Sequence, residues 1–183
     1  MKRCGLLIAM LAMSAACLPT TALAQKAVGI PGEIVKELDS LVGTWESEGK
    51  VGEKEQSGGF TCRWARTDEK KKICLVGEFS YKTGNEVRSG VTLIGWNAAK
   101  KCIEDRGFDA NGGNVVLYWK VKSPTQWQGE VVMVEDGQEI KSKAVLIKKG
   151  PSEIVMESDR ETGEVARFVF RKAKRERKKK AEN

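Results

Sequence analysis

Histidine is absent from this chain of 183 residues, which removes imidazole as a general base, proton shuttle or metal ligand. Also missing are a Cys-x-x-Cys pair, a Gly-x-Ser-x-Gly elbow, a phosphate-binding loop and a dinucleotide fingerprint, so no common zinc, acyl-transfer or nucleotide chemistry is announced. Scattered carboxylates alone specify no glycosidase pair. Long apolar runs are lacking too. The longest, Gly5–Met13, is too short to span a bilayer as a helix, and no later segment is apolar enough to anchor the chain.

Positive charge is plentiful but is missing from the middle of the chain. The formal charge is +7, from 32 Lys and Arg against 25 Asp and Glu. Lys2 and Arg3 sit near the N-terminus, and eight basic residues crowd into Arg171–Asn183 beside Glu176 and Glu182, which leaves 22 basic against 23 acidic residues between Gln25 and Phe170. That central part is close to neutral, so composition implies no basic nucleic-acid-binding face. The terminal run lacks aromatic residues for base stacking, and specific nucleic-acid recognition has no support. A dense basic run of this kind is expected to be solvated, with an anionic envelope surface as its alternative partner.

The first 24 residues read as a secretory signal: Lys2 and Arg3, the apolar run, then Ala22-Leu23-Ala24 before Gln25. Export to the periplasm or beyond is therefore expected. The competing reading is lipoprotein processing at Cys17, after Ser14-Ala15-Ala16. Beyond the leader remain Cys62, Cys74 and Cys102, an odd number that permits one internal bridge at most. Cys62 with Cys74 is the favoured pair, on consecutive strands, and three buried thiols are the alternative.

Residues 25–42 form an N-terminal segment in which Ile34, Val35, Leu38 and Leu41 recur at helical spacing, predicting a short helix over 33–41. From Gly43 the pattern changes to short alternating runs separated by turn residues. Ten strands are predicted, near 43–51, 58–66, 72–81, 87–97, 100–108, 113–121, 125–135, 138–149, 153–159 and 164–172. Asn111-Gly112-Gly113, Asp136-Gly137, Gly150-Pro151-Ser152 and Glu161-Thr162-Gly163 supply tight connections. Connections this short join antiparallel neighbours. Closing ten up-and-down strands into a barrel over 43–172 removes both exposed edges. Residues 173–183 are the basic tail. The Asp109–Gly113 segment has alternating oxygen ligands, but it lacks the spacing and terminal Glu of a calcium loop and reads as a hairpin turn.

Leu41-Val42-Gly43-Thr44-Trp45, a helix running into a first strand through Gly-x-Trp, resembles the opening of the lipocalin and calycin barrels. The resemblance implies that Trp45 closes one end of the barrel against a basic residue on the last strand, here Arg171. Together with Gly95-Trp96-Asn97, Phe108-Asp109-x-Asn111-Gly112-Gly113 and Phe170-Arg171-Lys172, the sequence is similar to a family of exported bacterial calycin-like domains of uncharacterised function. What this implies is an all-β, antiparallel up-and-down barrel, and it brings no established catalytic residue; no cofactor is expected. The chain also resembles haem-binding nitrobindin barrels, but the His that ligates iron in that group has no counterpart here.

Two sets of residues are the candidates for function. The five tryptophans lie in predicted strands and by default fill the core. As a pocket for a small apolar ligand, Trp64, Trp96 and Trp119 are the expected contributors. Cys102-Ile103-Glu104-Asp105-Arg106 puts Glu104 and Arg106 on one side of a strand and Asp105 on the other. Glu104 and Arg106 are taken as the polar site pair, set against a reading in which they simply face solvent.

Overall fold

The computed structural model describes residues 29–135, 137–160 and 163–174. The expected leader, Cys17 and all but the start of the basic tail lie outside the described residues. One helix, α1 (Gly32–Asp39), precedes ten strands: β1 (Gly43–Val51), β2 (Lys54–Arg66), β3 (Lys72–Thr83), β4 (Glu86–Asn97), β5 (Cys102–Asp109), β6 (Asn114–Ser123), β7 (Gln126–Glu135), β8 (Gln138–Gly150), β9 (Glu153–Arg160) and β10 (Val165–Lys172). Each strand pairs antiparallel with its sequence neighbours, and β1 pairs with β10, so the sheet closes into a ten-stranded barrel. No described helix is long and apolar enough to cross a membrane.

The strand boundaries depart from expectation mainly at β2, which begins at Lys54 rather than near 58. A tight turn at Gly52 (φ +58°) lets Lys54 pair with Val51, so pairing starts at once. The helix is shorter than the pattern predicts. The Leu41 amide bonds the Leu38 carbonyl at 3.0 Å, a turn that ends the helix and aims the chain into β1. At the β5–β6 connection Asp109 Oδ1 accepts the amides of Asn111 (2.8 Å) and Gly113 (2.9 Å), which makes this segment a side-chain-stabilised turn.

Alternation sets the two faces of the wall. Phe60, Cys62 and Trp64 on β2 face inward, as do Val115, Leu117, Trp119 and Val121 on β6 and Ile140, Ala144 and Leu146 on β8, while Lys141 and Lys143 are exposed. α1 covers the end where β1 begins. Leu38 is wholly buried, and with Ile34 and Leu41 it packs into a cluster with Trp45, Cys62, Leu75, Ile103, Trp119, Trp127 and Ile154. The core therefore sits in the half of the barrel beneath the helix.

Candidate functional site

The helix is fastened to that end by indoles and charges. Trp45 Nε1 donates to the Leu41 carbonyl (2.9 Å), Trp64 Nε1 to Asp39 (2.7 Å) and Trp127 Nε1 to Glu37 (3.0 Å). Glu37 also pairs with Lys148, and Asp39 with Lys72 at 2.6 Å. The Lys72 hydrogen bond is the main reason that the Asp39 carboxyl lies below its usual range. Three of the indoles thus do the work of a lid. Trp119, 3% exposed, packs edge-on against Trp127 with ring centroids 6.2 Å apart. It also lies over Gly129, where an added Cβ would come within 2.6 Å of the ring.

Trp64 and Trp119 are accordingly held in lid and core rather than gathered around a pocket. Trp96 does not join Glu104 and Arg106: it faces inward opposite Ile103 and packs against the core, its Nε1 buried with no partner among the described residues, while Glu104 and Arg106 come together on the outer wall. Glu104 and Arg106 form an ion pair that draws the Glu104 carboxyl below its usual value, and Asn97 Nδ2 donates to the same carboxylate at 2.6 Å. With Cys74 and Leu93 they border a shallow surface depression of about 420 Å³. Val91, Leu93 and Phe108, each about half exposed, extend an apolar strip along the outer faces of β4 and β5.

Two expectations are corrected. The cation over the Trp45 ring is Lys172, with Nζ 5.2 Å from the centroid. Arg171 points outward to Glu48 and Glu153, because it follows the parity of Val169 and not that of Phe170. The Cys62–Cys74 bridge is not formed: Cys62, Cys74 and Cys102 are free thiols. The turn after β2 sets Ala65 opposite Cys74 and Gly77 opposite Cys62, which leaves the two thiols on opposite faces of the wall. Burial pushes the Cys62 thiol up to about 12.

The half of the barrel away from α1 differs from the core. Its inward side chains, among them Phe60, Tyr81, Val115, Leu117, Met133, Met156 and Phe168, pack against the core yet remain partly accessible. Val131, Ser142 and Ala166 on the same inner wall are buried, so this half is less tightly sealed than the helix-covered one but not bare of packing. At the rim, Arg160 pairs with Glu164 at 2.8 Å and reaches toward the Met133 sulfur.

Where the packed and open halves meet, the inner wall carries polar groups. Asp105 faces inward between Ile94 and Leu117, and the Thr92 hydroxyl donates to its Oδ1. Burial pushes this carboxyl up to about 6, against the lowering effect of the Thr92 bond. Tyr81, also inward, is pushed up by burial and by the Asp105 charge. Ser158 donates to Ser142 at 3.1 Å, while Ser47 Oγ on β1 is buried with no partner among the described residues. Sequence reasoning selected Glu104 and Arg106 on this strand and passed over Asp105. The signal was present in the alternation: Ile103 is apolar and inward, so a solvated Glu104–Arg106 pair obliges Asp105 to face the lumen. The arrangement can enclose an apolar molecule and present one carboxylate and several hydroxyls to it. It assembles no nucleophile with a base.

No family model and no curated protein matches the sequence. Among solved structures the fold is similar to an S-type phycobiliprotein lyase, CPES from Guillardia theta, with a TM-score of 0.52 at 11% identity over 78% of this chain and 94% of that one. At this identity the likeness establishes the architecture alone: a closed antiparallel barrel.

Proposed function

We propose that this protein is an exported calycin-like barrel that binds a small apolar ligand in the half of its lumen away from α1. The observation that carries the reading is the change in burial along the barrel, from a sealed core beneath the helix to partly accessible Tyr81, Val115, Leu117, Met133, Met156 and Phe168 beyond it. Apolar walls with a few placed polar groups are the usual make-up of a small-molecule site, and barrel mouths are common places for one. The likeness to a phycobiliprotein lyase agrees in architecture. Export rests on the Lys2-Arg3 leader and Ala22-Leu23-Ala24.

Val115→Trp tests the reading by filling the open half from its wall. With Nile red as an uncharged apolar probe, the native protein is expected to bind saturably and the variant to bind roughly tenfold more weakly, with unchanged far-UV circular dichroism. Equal binding by a folded variant would place the dye elsewhere and remove the lumen as the site.

A further inference from the structure

We infer that the lumen is selective for apolar molecules that carry a cationic amine, with Asp105 as the group that receives it. This rests on the apolar-ligand reading above and specifies the polar end of the ligand. Asp105 occupies the floor of the open half. Its Oδ1 takes the Thr92 hydroxyl, and Oδ2 has no partner among the described residues.

No described cation pairs with it. The groups that face it are the Cys62 thiol from β2, the Tyr81 phenol from β3, Thr92 and Ile94 from β4 and Leu117 from β6. Thiol and phenol are both neutral near pH 7, since burial raises both. Two arginines also face inward, both toward the rim: Arg88 on β4, opposite Tyr81 and paired with Glu86, and Arg160, paired with Glu164. A carboxylate enclosed by protein without a cation is costly unless something else completes it. Ser47 gives a second, separate sign: the residue is 7% exposed, lies on the same inner wall, and its hydroxyl is buried with no partner among the described residues. The inner wall therefore offers one anion to an occupant, with an unsatisfied hydroxyl buried in the same wall. An ammonium group supplies several N–H donors and the missing positive charge, whereas an acid of the same shape would bring a second anion to Asp105.

The test compares octylamine with octanoic acid on the full chain at about pH 7.5 by isothermal titration calorimetry, with Nile red displacement as a second readout. The amine is expected to bind about tenfold or more tightly than the acid, and its affinity to fall as pH drops through 6, where Asp105 takes up a proton. Asp105→Asn, which keeps the shape and removes the charge, is expected to abolish the preference, with unchanged far-UV circular dichroism showing that the variant is folded. Equal affinity for amine and acid, or a preference that survives in Asp105→Asn, would overturn the inference while Nile red binding upheld the lumen. Failure of Nile red, amine and acid alike to bind would sink the apolar-ligand reading itself.

Discussion

Asp105 is the residue at which the chain departs most from what a stable core requires. Its carboxyl moves from 3.8 to about 6 on folding, and about two pH units at 1.36 kcal/mol each make a penalty of about 3 kcal/mol. The sign follows from the direction of the shift. The unfolded chain releases this proton near 3.8 and the folded one only near 6, so the native state loses stability as pH rises through that window and carries the full penalty above it. Asp105→Asn should therefore raise the urea midpoint at pH 8, by up to about 3 kcal/mol in stability, and change it little at pH 4. Equal gains at both pH values would mean that ionisation of this carboxyl is not what strains the fold. The alternation that exposes Glu104 and Arg106 already assigns Asp105 to the inside. What the sequence does not carry is the register that surrounds it with Tyr81, Thr92 and Cys62, residues drawn from three other strands.

At the scale of elements, α1 and the tryptophans act as one unit. Periodicity shows the helix, and Gly43-Thr44-Trp45 shows that it runs into the first strand. The partners of the lid are a different matter: Glu37 meets Trp127 and Lys148 about a hundred residues along the chain, a contact created only when the barrel closes. For the same reason the sequence does not show that Trp64 is held by Asp39 and Lys72, which lie beside it only in the closed barrel. Glu37 and Lys148 are both largely shielded from water, with side chains 14% and 10% exposed. Glu37→Ala removes one partner and leaves Lys148 with an uncompensated charge and Trp127 without its acceptor. The expected cost is about 3 kcal/mol, read by chemical denaturation. A cost of only a few tenths would show that the lid is held by Ile34, Leu38 and Leu41 alone.

For the whole molecule, ten strands and their faces are legible because turn residues and alternation act locally, and barrel closure follows from the need to hide two edges. The division of the barrel into a packed and an open half is not local. It arises where Trp119 settles over Gly129 and α1 seals one end, while no described helix covers the other. Charge adds little to this barrel, since the excess basic residues lie at the chain ends.

The chain supplies its own reporters for the open half. Of its five methionines, Met1, Met10 and Met13 lie within the first 24 residues, while Met133 and Met156 both face the lumen. In protein spanning residues 25–183 and labelled with ¹³C at the methionine methyls, these are the two signals, and Nile red is expected to shift both together and saturably. Saturable binding that leaves both lumen methyls in place would contradict the assignment of the ligand to the barrel interior.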